Sequence, residues 1–211
     1  VKAVIFDMDG VLVDTEPIYF AANRELFERL GFSVMQEGYA RFIGLDASRM
    51  WAQLKAEHAL PQPIPELVNL ERDAMYRALL QASLTPMEGL IPLLDDLQRR
   101  GIRLAIASSS AHRIINTILE KTGVRAYFAA IASGEDVAHG KPAPDIFLLA
   151  AARLGVAPQD CTVIEDAAAG VRGAKAAGMR VIGYRNPHSG EQDLGEADEV
   201  IERLSECDLL A

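Results

Sequence analysis

Cysteine is scarce: the 211 residues hold two, Cys161 and Cys207. A disulfide framework is therefore not expected, and a reducing cytoplasm is the expected compartment. Basic residues are also short, 21 Lys and Arg against 30 Asp and Glu. The formal charge of -9 repels nucleic acid and anionic membrane surfaces, so neither is an expected partner. An anionic small molecule is not excluded, because local donors and a metal dominate at contact distance. No run reaches the roughly 18–20 uninterrupted apolar residues of a membrane helix, and the apolar start lacks the n-region and h-region of a signal peptide. His58, His112, His139 and His188 show no ligand spacing with one another or with cysteine, so surface and loop roles are their default. Internal repeats and low-complexity segments are missing too. What is present is a globule: half of the residues are hydrophobic, enough for one substantial core and a smaller inserted one.

From residue 90 onward, apolar strand-like runs alternate with amphipathic helical ones. Helices are expected over 90–100, 111–121, 145–154 and 168–177, and strands over 102–107, 129–132, 162–165, 180–184 and 199–201. With a first strand ahead of Phe6, the alternation predicts an α/β fold with a Rossmann-like parallel sheet. Its ligand site would lie at the carboxyl ends of the strands. Residues 16–85 interrupt this pattern without a strand-like run. Gly and Pro punctuation divides them into helices over 17–30, 47–58 and 65–82. A helical-bundle cap is thus expected over 16–85, inserted into a core of 1–15 and 86–211. Its crossings at Asp14-Thr15 and Thr85-Pro86 are the expected hinges.

Residues 6–15 read FDMDGVLVDT. Asp7 and Asp9 leave the first strand at an i, i+2 spacing that lets both face one site. Two like charges at a strand end need a cation, protonation or hydrogen bonds, and Gly10 lets the chain turn away. An Asx-type turn is the plain alternative. Three more polar points end apolar runs. Ser108-Ser109-Ser110 stands where a strand turns into a helix, placed either to face a phosphate or to cap the helix. Lys141 in GKPAPD is fixed by the nearby Pro142 and Pro144. Glu165-Asp166 ends a strand ahead of three alanines and Gly170, and hard oxygen donors of this kind suit Mg²⁺. Asp166 would equally serve as N-cap of a helix from Ala167.

In this order, over nearly the whole chain, the four points resemble the haloacid dehalogenase superfamily of phosphotransferases. The likeness is to the branch of β-phosphoglucomutase and small sugar-phosphate phosphatases. It implies a Mg²⁺-dependent hydrolase of small phosphorylated metabolites, such as sugar or polyol phosphates, acting through an aspartyl-phosphate. Asp7 would be the nucleophile, and Asp9 the carrier that protonates the leaving alcohol and then deprotonates water. The resemblance implies a metal held by the Asp7 side chain, the Asp9 backbone carbonyl and the Asp166 carboxylate, with Glu165 a ligand or just behind the ligands. Ser108 and Ser109 would bind phosphate, and Lys141 would neutralise the nucleophile and the phosphoryl group. The cap loop at Gly44 would meet the substrate, with Arg41, Ile43 and Arg49 near it. A monomer is expected.

Mutases of this branch carry a His after the first motif, and a Lys and an Arg beside the cap-loop Gly. Here the stretches read Pro17-Ile18-Tyr19-Phe20 and Phe42-Ile43-Gly44-Leu45-Asp46-Ala47, so hydrolysis is expected over a mutase reaction. Phosphonatases use a cap lysine, and Lys55, the one lysine of the expected cap, stands well past Gly44. A non-catalytic phosphate-binding module would lack the nucleophile, the carrier, the lysine or the acidic pair, and none is missing.

Overall fold

The computed structural model describes residues 1–43 and 45–207. The first strand, β1 (Ala3–Phe6), is followed by α1 (Glu16–Arg29), α2 (Gln36–Tyr39), α3 (Ala47–His58), α4 (Ile64–Gln81) and α5 (Leu90–Arg99). Then come β2 (Arg103–Ser108), α6 (His112–Lys121), β3 (Ala130–Ser133), α7 (Asp145–Leu154), β4 (Cys161–Glu165), α8 (Ala168–Ala176), β5 (Arg180–Tyr184) and β6 (Glu199–Ile201). All six strands pair in parallel in the order β3-β2-β1-β4-β5-β6.

β1 is apolar and buried at every position, as a strand covered on both faces must be. Its residues alternate between two cores. Val4 and Phe6 join Leu104, Ile106 and Ile164 beneath α5 and α6, while Ala3 and Ile5 join Ala105, Ala107 and Val163 beneath α7 and α8. The winding reverses at β1, and in such sheets the crevice at that point is where ligands bind. Phe6 pairs with Ile106 on one side and Ile164 on the other, and the Asp7 N–H extends the ladder to the Ile164 carbonyl at 2.9 Å. Asp7 is thereby held level with Glu165.

Most elements lie within a residue or two of the sequence expectation. β2 and β3 end one residue later, because Ser108 and Ser133 close the ladder opposite each other; backbone pairing is indifferent to their hydroxyls. The short α2 is absent from the sequence expectation, since four residues around Gly38 show no helical period.

In the insertion, α1, α3 and α4 enclose a third core around Phe27, Trp51, Leu54 and Leu67. Phe27 meets Trp51 edge-on at 5.7 Å between centroids. Each such fully buried side chain contributes about 1.5–3 kcal/mol. The two crossings run side by side: Val13 bridges Pro86, and the Met87 N–H donates to the Leu12 carbonyl at 2.9 Å. From α6, Lys121 Nζ donates to the Leu79, Leu80 and Ala82 carbonyls at 2.7, 2.8 and 2.8 Å, setting a cation at the negative end of α4. Among the described residues, no helix is long and apolar enough to cross a membrane.

Candidate active site

Asp7, at the end of β1, and Glu165, the last residue of β4, are bridged by one ammonium group. Lys141 Nζ donates to Asp7 Oδ1 and to Glu165 Oε1, both at 2.5 Å, and is 2% exposed. Burial alone would lower the lysine's pKa, but Asp7 and Glu165 outweigh it and hold the charge in place above its ordinary range. The Glu165 Oε2 accepts from the Ala167 N–H at 3.0 Å. Gly170 leaves the room for this carboxylate, since a Cβ there would fall 1.8 Å from Glu165 Oε1.

Asp166 is tied by a hydrogen bond from Ser189. α8 begins at Ala168 with Ala167 as its N-cap, so Asp166 does not cap it. Gly10 turns away beside Asp166 with φ of 85°, and a Cβ would stand 2.1 Å from Asp166 Oδ2; only glycine meets both demands. Asn186 Nδ2 holds the Gly10 carbonyl at 3.2 Å.

Asp9 is surrounded by hydroxyls. Thr15 Oγ1 donates to its Oδ1 at 2.6 Å, and Ser110 and Ser108 donate to Oδ2 at 3.1 and 3.4 Å. Ser108 is fully buried and also accepts the Ser110 N–H at 3.1 Å; α6 starts later, with Ala111 as its N-cap. Burial raises the Asp9 pKa against the pull of these bonds and of Lys141. The Tyr19 phenol, which meets Asp9 and Ser110, is pushed up by burial and by the Asp9 charge.

Burial likewise lifts Asp7 well above the carboxylate range, with Glu165, Asp166 and Asp9 adding to it and Lys141 opposing. Burial and then Glu165 do the same to Asp166. Carboxylate oxygens of Asp7, Glu165 and Asp166 lie within 4.8 Å of one another. Buried hard-oxygen donors with one ammonium between them are short of positive charge, and this donor set fits a divalent cation.

The acids open into a cavity of about 270 Å³ whose opposite wall is the insertion. Ser109 and Lys141 line the core side; Tyr19, Tyr39, Ile43, Leu45, Glu71 and Arg72 line the other. Glu16 joins them, and burial with the nearby Asp9, Asp14 and Asp7 raises its carboxyl to about 8.

Several expected contacts are made differently. Arg41 pairs with Glu57 at 2.6 Å and Arg49 with Asp46 at 3.2 Å. Lys55 donates to the Leu60 and Gln62 carbonyls at 2.5 and 2.8 Å. His112 bonds Asp136 at 2.8 Å, His188 pairs with Asp14 and His58 stacks on Phe32. Gly44 lies outside the described residues. Thr15, Ser110, Asn186 and Ser189 were missed as site residues, as were Glu71 and Arg72. Two of them had a local signal, Ser110 as the third member of the serine run and Thr15 as the last residue of FDMDGVLVDT.

A doubly wound sheet with a buried acid cluster and a lysine at its switch point defines an α/β enzyme working at its strand ends. Residues 1–178 match the family model described as haloacid dehalogenase-like hydrolase. The chain belongs to that family, as a phosphoric monoester hydrolase. It is 38% identical over 186 residues to fructose-1-phosphate phosphatase YqaB of Escherichia coli (strain K12), covering 86% of this chain and 95% of the relative. To β-phosphoglucomutase of Bacillus subtilis (strain 168) it is 35% identical over 216 residues, covering 99% and 92%. The crystal structure of a mutant CbbY from Rhodobacter sphaeroides in complex with xylulose-(1,5)bisphosphate superposes with a TM-score of 0.87 at 26% identity. The match covers 98% of this chain and 96% of that one.

Proposed function

We propose that the protein is a Mg²⁺-dependent phosphatase of sugar or polyol phosphates whose residues 16–85 act as a cap over a core of 1–15 and 86–211. The observation that carries the assignment of roles is the division between the two aspartates. Asp7 is fixed beside an ammonium, and Asp9 sits among hydroxyl groups with a raised pKa. Lys141 takes one oxygen of Asp7, and the other attacks phosphorus. As the ester P–O bond breaks, Asp9 gives its proton to the leaving alcohol oxygen. Water then attacks the aspartyl-phosphate while Asp9 takes up a proton, the bond from phosphorus to the Asp7 oxygen breaks, and phosphate leaves.

Asp7, Asp166 and the Asp9 backbone carbonyl would hold the metal, with Glu165 at its edge and committed to Lys141. Bound there, Mg²⁺ supplies positive charge to the carboxylates and the phosphoryl oxygens. Ser108 keeps Asp9 oriented, while Ser109 and the Gly44 loop meet the substrate. Closure of the cap keeps bulk water from the site during the first step. A cavity completed within one chain supports a monomer, and the low cysteine count a cytoplasmic setting.

The test is phosphate release from a panel of phosphorylated metabolites. Release should vanish with chelator and return with Mg²⁺; turnover that persists after thorough metal removal would show the metal assignment to be wrong. The likeness to a β-phosphoglucomutase keeps a phosphosugar mutase as the second reading. With β-glucose 1-phosphate and a catalytic bisphosphate, efficient isomerisation without phosphate release would promote it.

A further inference from the structure

The chemistry above employs the core wall of the cavity and leaves a buried polar cluster on the other wall without a task. Glu71, 4% exposed, lies in α4, whose Leu67 and Val68 join Trp51 and Phe27 in the insertion's apolar core. Its Oε2 accepts from Trp51 Nε1 at 2.7 Å, and Asn23 Nδ2 donates to the Tyr39 hydroxyl at 2.8 Å. Glu71, Tyr39 and Tyr19 all line the cavity. A carboxyl is an expensive acceptor to bury when an amide would serve Trp51 as well.

One further atom here lacks a partner: Asn23 Oδ1, on a fully buried side chain. The cluster thus holds hydrogen-bonding capacity that the protein itself does not use, which is costly unless something else fills it.

The charge on this wall narrows what fills it. Among the described lining residues the only cations are Lys141 and Arg72. Lys141 is locked between Asp7 and Glu165, and Arg72 faces Glu135 at 3.4 Å. A second phosphate or a carboxylate would meet Glu71 and Asp46 with only Lys141 and Arg72, both already paired, to oppose them, whereas a hydroxyl meets acceptors. Resting on the phosphatase reading, we propose that Glu71 accepts a hydrogen bond from a hydroxyl of the leaving alcohol. It restricts the site to monophosphates of neutral, polyhydroxylated alcohols.

The experiment measures kcat/KM with Mg²⁺ for fructose 1-phosphate, sorbitol 6-phosphate, fructose 1,6-bisphosphate, 3-phosphoglycerate, phosphoethanolamine and 4-nitrophenyl phosphate. The wild type should favour the two neutral polyhydroxylated monoesters over the esters with a second anion by ~10-fold or more. Glu71→Gln still accepts from Trp51 but loses the charge-assisted bond. It should lower kcat/KM for those two ~10-fold more than for the aryl ester, which has no hydroxyl to read. An equal fall on every ester, or a lowered urea midpoint with an unchanged ratio, would make Glu71 structural and overturn the proposal. Should Glu71→Gln fail to fold, the wild-type panel decides: a preference for the bisphosphate, the phosphocarboxylate or phosphoethanolamine overturns it. A wild type that hydrolyses none of the six, the aryl ester included, sinks the phosphatase reading itself.

Discussion

On the core wall of the cavity each site group is held by another: Lys141 by Asp7 and Glu165, Glu165 also by the Ala167 N–H, Asp166 by Ser189, and Asp9 by Thr15 and Ser110. On the insertion wall the polar groups are set among apolar side chains, and Asn23 Oδ1 has no partner. Fixed positioning suits a surface that stabilises the same developing charge in every turnover. Unfilled hydrogen-bonding capacity suits one that meets the variable half of the substrate. Architecture supports the contrast. Strand ends in a parallel sheet converge from segments far apart in sequence, whereas the helices of the insertion are joined to that sheet through two adjacent crossings.

The comparison breaks first at the aspartates, where the largest effect is expected. Asp7→Asn should cost on the order of 10⁴-fold in turnover or more, with no aspartyl-phosphate trapped by rapid quench. Asp9→Asn should slow both chemical steps by ~10²-fold or more. A covalent phosphoenzyme on the Asp7→Asn protein would contradict the division of roles.

Lys141→Ala should depress turnover of three chemically distinct esters by a similar factor, ~10²-fold, because it acts on the group all of them share. Replacing Ile43 or Leu45 with Ala should instead change the ratio between substrates, by ~10-fold. If the lysine variant reorders substrates while the Ile43 and Leu45 variants lose all of them alike, the two walls have been given each other's work.

The smallest effect sharpens the contrast through pH. Burial raises the Glu71 carboxyl from 4.5 to about 7, against hydrogen bonds from Trp51 and Asn23 and the Arg72 charge. The folded protein therefore holds this proton more tightly than the unfolded chain does. The stability it confers is complete below the unfolded value and is lost as pH rises through the folded one, by up to about 3 kcal/mol. Urea midpoints at pH 5 and pH 8 should fall less in Glu71→Gln than in the wild type. Identical falls would acquit Glu71.

The sheet was legible because its strands are apolar at nearly every position, and the acids and Lys141 because each interrupts or follows such a run. The serine run was legible as a place but not in its orientation, which depends on Asp9 lying across from it. Asn186 and Ser189 left no trace, being ordinary loop residues that reach Gly10 and Asp166 only after β5 is laid down; Asn186 is 176 positions from its partner. Glu71 and Arg72 were hidden for another reason. On an amphipathic helix an acid beside a base reads as a solvated face, and only the packing of α4 against α1 and α3 turns one of them inward.

Lys121 makes α4 a lever with its fulcrum at one end. The helix has 18 residues, an arm of roughly 27 Å at about 1.5 Å per residue. A rotation of about 10° around the clamped carbonyls would sweep the Ile64 end through roughly 5 Å while Glu71, near mid-arm, travels about half as far. A displacement felt by the residue that touches the substrate is thus doubled at the tip, so the far end of α4 is where a spectroscopic label would report what the cavity holds.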